Sequence, residues 1–545
     1  MTRRSPRVLI NTITGRLYDR AEQVSAFESL PIFKELVASM TTRIDYVRVK
    51  REVRQYFRYA MLSHKWEDNE PLFQQLVHMA VYDLDKSPTH DKLKRFCEII
   101  RDAGFKWAWS DTCCINKSDH FILQEALVAM FKWYQGSALT VVFLRGVPSS
   151  ARRGALVRSI WNTRAWTLQE YVASKVIHFY TEDWTLYLDL KLPNHKESPE
   201  IISEMEQATG IPAQQLMALH PGLTSIREKL HLASTRRTTL VEDAAYSLLG
   251  IFSVAGIPAI YGEGEGSLGR LLAHILTVSG EASILAWTGD SGSFNSCLPA
   301  NITVFNGPAM SHLPPPIQDA EMEQIVAGMH TSSFGLNTAL RLYDRLNTLP
   351  APWLAASRMK LPCIAFELLV SSFLPYRTRS GRVYRADTLA FGMVEIKTRY
   401  DLSRMNVLYL AHPWLDALLE REGVQGYIVG DDDTAPPPSP NTDNGEIPDG
   451  EVGDDPSSLP VPDVPEALSR PVPTCMVPMD KEMRARRLAA RLRQPFGALL
   501  FTLASTGRRG MDYQRVAADS LVTVRFRENV SLEDILDNVR TLDVL

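Results

Sequence analysis

Residues 107–144, WAWSDTCCINKSDHFILQEALVAMFKWYQGSALTVVFL, read as strand, polar loop, helix and strand. The first apolar run ends at Asp111, Asp119 is placed to cap a helix, and Leu123, Leu127, Met130 and Tyr134 recur at helical spacing. Glu125 sits on that helix, off its apolar stripe. Residues 139–144 then form a continuous apolar run, as a strand buried on both faces would. Strand, crossover helix and strand imply parallel pairing with a right-handed connection. In open α/β sheets ligands bind outside the carboxyl ends of the strands, so Asp111 and Glu125 become candidates for chemistry.

The pattern extends in both directions. Residues 59–64, YAMLSH, predict another buried parallel strand, which delivers Ser63 and His64 to the same edge. Residues 91–103 predict a helix with Leu93, Phe96, Cys97 and Ile100 on one face, Asp91 as cap and Gly104 as stop. Residues 161–173, WNTRAWTLQEYVA, predict a helix that carries Trp166 and Glu170 four apart, and residues 175–180 a fourth strand.

Six stretches follow from the whole chain. Residues 1–58 read as a lead-in, helical apart from a short strand at 7–10, with the basic run 48–54 on a solvated helix face. Residues 59–185 hold the α/β core, and 186–300 a helical segment with an apolar helix at 244–252. Residues 301–430 are rich in β-branched and aromatic runs and predict a β-rich domain. Residues 431–473 form an acidic, Pro-rich insertion too poor in apolar residues to order itself. Residues 474–545 predict a basic helix at 481–493 and strands that complete the β-rich domain.

Composition narrows the function. A 545-residue chain with 45% hydrophobic and 22% charged residues and a net charge of -4 has no long-range pull toward nucleic acid or an anionic membrane. Its six cysteines include no CxxC pair, which suits free thiols in a reducing compartment, and no metal-ligand spacing is present. The first apolar run is four residues long and no stretch nears the roughly 18 apolar residues of a membrane span, so a cytoplasmic protein is expected. Gly264, Gly266 and Gly269 match GxGxxG, but Glu263 and Glu265 would repel a pyrophosphate, and the stretch reads as a turn. Cys113 and Cys114 read as buried small hydrophobes, and Arg236, Arg237, Glu242 and Asp243 as a group of structural ion pairs.

Three blocks carry a resemblance: YAMLSHKW at 59–66, WSDTCCIN at 109–116 with Gln124 and Glu125, and RAWTLQE at 164–170. In this order they resemble the fungal heterokaryon-incompatibility (HET) domain, and the block from 236 to 287 resembles the segment that commonly follows it. The resemblance covers roughly residues 5–300. It implies a part in non-self recognition between fungal cells and in regulated cell death. It also implies a distant kinship with the TIR domain, a flavodoxin-like parallel sheet flanked by helices that in many systems hydrolyses NAD. In enzymatic TIR domains the required glutamate lies on a helix corresponding in order to the one bearing Glu125.

Loss of nicotinamide from NAD passes through an oxocarbenium-like transition state, as glycoside hydrolysis does, and a carboxylate near the ribose stabilises it. The leaving group needs no proton, so one acid suffices. Glu125 is the first candidate and Glu170 the second, with Ser63, His64, Asp111 and Trp109 as residues that position substrate. Each has a structural alternative: Glu125 as a solvated helix residue, Asp111 as an Asx cap, His64 as a core histidine. NAD is expected as a substrate, with no cofactor or metal. Self-association and a protein partner of unknown identity are expected, with no nucleic acid. The competing expectation is a non-enzymatic signalling module that works through the same surfaces.

Overall fold

The computed structural model describes residues 5–39, 45–307, 333–355, 357–368, 374–378, 381–405, 407–414, 480–507, 510–527 and 530–545. The acidic insertion expected at 431–473 lies outside them.

The N-terminal sheet is built on two strands buried at every position, β3 (Tyr59–His64) and β5 (Leu139–Leu144). With β4 (Trp107–Trp109) and β6 (Ile177–Thr181) they form a parallel sheet in the order β4-β3-β5-β6. The lead-in does more than its sequence promised. Its strands β1 (Val8–Asn11) and β2 (Leu17–Asp19) extend the sheet beyond β4, with β1 antiparallel to both neighbours. The three helices that follow run Arg20–Glu28, Pro31–Ser39 and Tyr46–Phe57, and the last, which carries the basic run, buries none of its residues.

Caps explain where the crossover helices begin. The helix Pro88–Asp102 starts three residues ahead of the expected Asp91, because Ser87 accepts from the His90 amide and Pro88 supplies a first-turn residue that needs no N–H partner. It ends at Gly104, where φ is +79°. The helix His120–Gly136 is capped by Asp119 through the Phe121 and Ile122 amides, and it buries Leu127, Met130 and Tyr134 of the expected stripe. The helix expected over 161–173 is broken. A 3-10 turn at Trp161–Thr163 precedes an extended Arg164, and the helix runs only Trp166–Ala173. Pairing of Arg164 with Arg237 accounts for the break, since it takes the backbone out of helical geometry.

The apolar helix expected at 244–252 is also shorter, Asp243–Tyr246 followed by turns. The longer helix Gly266–Ser279 starts at the second glycine of GxGxxG. In the C-terminal part β8 (Arg358–Leu368) pairs with both β12 (Leu408–Pro413) and β16 (Val539–Val544). The path β12-β13-β14-β16-β8, with β13 at Phe496–Gly507 and β14 at Gly510–Arg515, therefore closes on itself. Closure leaves these strands without an unpaired edge. The helix Lys481–Arg493 leads into β13 and buries Leu488 and Leu492. Among the described residues no helix is long and apolar enough to cross a membrane.

Candidate functional site

The chain order reverses between β3 and β5, since the chain passes from β3 to β4 on one side and returns to β5 on the other. Ser63, next to last in β3, stands at this point with its side chain wholly buried. Its hydroxyl accepts from the Trp161 indole N–H at 2.7 Å and donates to Glu170 Oε2. Glu170 reaches it from the Trp166–Ala173 helix and is itself only 5% exposed. Burial pushes the Glu170 carboxyl up to about 8, the charge of Asp111 pushes the same way, and the Ser63 hydroxyl, Arg164 and Arg236 pull back.

Arg236 holds this corner together. Its guanidinium donates to the Arg164 carbonyl at 2.9 Å, to Thr167 Oγ1 at 3.0 Å and to Asn162 Oδ1 at 3.0 Å. The expected pairing with Glu242 and Asp243 does not occur. Glu242 instead accepts from the Gly262 and Gly264 amides at 2.8 and 3.0 Å, and Asp243 from the Tyr261 hydroxyl at 3.0 Å. A loop amide satisfies a carboxylate without the cost of burying a second charge. The arginine is thus free to tie the loop that carries Trp161.

Asp111 stands at the end of β4, half-buried, and accepts from the Trp66 indole N–H at 2.7 Å. Lys117 Nζ lies 3.4 Å from the centroid of the same Trp66 ring. That nitrogen is shielded from solvent and has no hydrogen-bond partner, and burial holds its pKa below the usual lysine range. A cation–π contact returns about 0.5–2 kcal/mol. An unpaired buried ammonium costs several kcal/mol, so the contact leaves it undersatisfied.

His64, also buried, points into a separate charged cluster. Its Nε2 is 3.6 Å from Glu70 Oε1, an ion-pair distance too long for a hydrogen bond. Lys92 also pairs with Glu70, and Arg145 with Glu67 at 2.8 Å. Burial alone would raise the Glu70 carboxyl, but His64 and Lys92 bring it down to about 2.

Glu125 is elsewhere. It pairs with Arg7 Nε at 2.5 Å beside a cavity of ≈ 40 Å³ lined also by Phe73, Asn116 and Trp133. Trp109 is fully buried, edge-on to Trp133 and Tyr134 at 5.8 and 5.9 Å, and so belongs to the core. The structure therefore brings together Ser63, Asp111 and Glu170 and sets Glu125, His64 and Trp109 apart from them. Trp66, Lys117, Trp161 and Arg236 join the site. Trp66 lay inside a recognised block; nothing in the sequence marked Lys117, because its distinction is the burial of one atom. Cys113 and Cys114 are buried and free. Among the described residues no group of His, Cys, Asp and Glu could hold a metal ion.

Residues 59–154 match the family model described as Heterokaryon incompatibility protein (HET). Over these residues the chain is similar to the HET family. Ser63, Trp66, Asp111, Lys117 and Glu125 fall within the matched HET residues, whereas Trp161 and Glu170 follow them. The chain is also similar to vegetative incompatibility protein HET-E-1 of Podospora anserina, at 35% identity over 232 residues. That similarity covers 40% of this chain and 16% of the relative, so the chain spans a small part of that protein's length. No solved structure matches the chain.

Proposed function

We propose that this chain acts in fungal heterokaryon incompatibility, the non-self recognition that follows cell fusion, and that its HET domain is a TIR-like core that hydrolyses NAD. The family match supports the first part. The second rests on one observation: the Ser63–Glu170 pair, with Asp111 beside it, sits where the strand order reverses. Counted along the chain, the parallel strands lie in the order 2-1-3-4, the beginning of the flavodoxin-like order, whose ligands bind at that point.

The chemistry asks little of the protein. As the bond from ribose to nicotinamide breaks, its electron pair leaves with the neutral base and positive charge develops on the ribose. The Asp111 carboxylate faces that charge, joined by Glu170 once it ionises near 8, and water that adds to the anomeric carbon gives up its proton to a carboxylate. Nicotinamide release by the purified full-length chain, with and without a crowding agent that favours self-association, tests this. Glu170→Gln should abolish turnover and Glu125→Gln should keep most of it. The reverse result would move the chemistry to the Glu125–Arg7 cavity.

A second reading has its own support, since each acid is already engaged: Glu125 by Arg7, Glu170 by Ser63 and Asp111 by Trp66. In that reading the domain signals through self-association or a partner. An absence of turnover in the wild-type chain under every condition favours it.

A further inference from the structure

The carboxyl edge holds one group that the hydrolase reading leaves unused. Lys117 Nζ has three donors and, among the described residues, no hydrogen-bond partner. Its neighbour is the face of Trp66, and the indole is 41% exposed, tied down by a single hydrogen bond to Asp111. Trp66 can therefore move aside without opening the core. The turn beneath is firm: Gln74 Nε2 donates to Asn116 Oδ1 and to Ser118 Oγ, both at 2.9 Å, and Asn116 Oδ1 accepts from the Ser118 amide at 3.2 Å. A rigid turn thus presents a cation under a movable cover, near the Asp111 carboxylate.

We propose that Lys117 receives a phosphate of a nucleotide substrate, which displaces the Trp66 indole from the ammonium. Only an acceptor can satisfy an ammonium, and lysine binds phosphate as a point charge. With the Asp111 carboxylate near it, the edge offers a cation for phosphate and an anion for ribose hydroxyls, the two polar parts of a nucleotide. Burial lowers the Lys117 pKa even though the charges of Asp111, Cys113 and Glu70 pull it up. This assignment deepens the NAD reading and rests on it for the identity of the nucleotide.

Calorimetric titration of the full-length chain with ADP-ribose and with nicotinamide riboside, which has no phosphate, tests it alongside NAD turnover. Lys117→Gln should weaken ADP-ribose by about tenfold or more, Lys117→Arg should restore most of that affinity, and the riboside should bind all three proteins alike. Removing an unsatisfied buried cation should leave the melting temperature of Lys117→Gln no lower than wild type, so misfolding is separable from lost binding. Equal weakening of both ligands, or unchanged ADP-ribose affinity beside intact wild-type turnover, overturns the assignment and leaves the hydrolase reading standing. Lys117-dependent ADP-ribose binding without NAD turnover has the opposite meaning: the phosphate site stands and the hydrolase reading falls. A wild-type chain that binds no ADP-ribose overturns the phosphate site.

Discussion

Glu170 gives this fold a pH dependence that differs from that of an ordinary carboxylate. Its carboxyl stands near 8 in the folded chain against 4.5 as the reference for an exposed glutamate. Below 4.5 it is protonated in both states. Between 4.5 and 8 the unfolded chain loses the proton while the folded chain keeps it, so stability falls as pH rises and levels off above 8. Glu70 acts in the other direction: held near 2 by His64 and Lys92, it stabilises the fold above 4.5 and loses that contribution as pH falls toward 2. Glu170→Gln keeps an oxygen to accept from Ser63 and removes the titration. Its unfolding free energy from urea titration should therefore vary less than that of wild type between pH 5 and 8, by on the order of a few kcal/mol across the window. An unchanged slope would mean that Glu170 ionises freely. At this scale the sequence was partly legible. Ser63 and Asp111 could be placed at strand ends from the apolar runs before them. Which of the two glutamates joins them could not be told, because that depends on the break at Arg164, which turns the 166–173 helix back over β3.

Close approach between elements has consequences at the next scale. A Cβ built on Gly250 would lie 2.2 Å from Phe131 Cβ, on the helix that leads from β4 to β5. A Cβ on Gly269, the last glycine of GxGxxG, would lie 2.5 Å from Phe294 Cβ. Gly269 is thus required by packing, and Gly262 and Gly264 by backbone, with φ at +98° and +60°. Gly269→Ala favours the helix by about 1 kcal/mol in intrinsic propensity, but overpacking costs about 1–3 kcal/mol, so net destabilisation is expected. Thermal unfolding reads this directly: a melting temperature at or above wild type would show that the Phe294 side moves away at no cost. Element types were readable from periodicity and caps, as the Asp119 cap and the β3 and β5 runs illustrate. The hairpin β1–β2 and the closing of β8 onto β12 and β16 were not, because pairing between distant segments leaves no local signature.

For the molecule as a whole, the question is how the N-terminal α/β part and the β-rich part are joined. One apolar cluster runs from β3, β4 and β5 through Leu271, Leu285 and Trp287 to Leu361, Phe501 and Leu542. Arg515, at the end of β14, is buried where the segment 285–297 meets that sheet. Its guanidinium donates to the carbonyls of Leu285 at 2.9 Å, Cys297 at 3.2 Å and Trp287 at 3.1 Å, and it stacks 3.8 Å from the Trp287 ring centroid. Among the described residues no carboxylate pairs with it, and burial brings its pKa down to about 10. Backbone carbonyls and the Trp287 ring hold the charge, so the arginine cannot be replaced by a lysine, whose point charge lacks the planar fork that reaches three acceptors. Arg515→Lys should cost about 2–3 kcal/mol and Arg515→Ala about 3–5 kcal/mol, as the carbonyls lose charged donors and a cavity opens. If this contact couples the two parts, calorimetry should show one unfolding transition for the wild type and two for Arg515→Ala, with the N-terminal α/β part melting apart from the β-rich part. A lone transition shifted downward would mean that the shared apolar cluster couples them without the arginine.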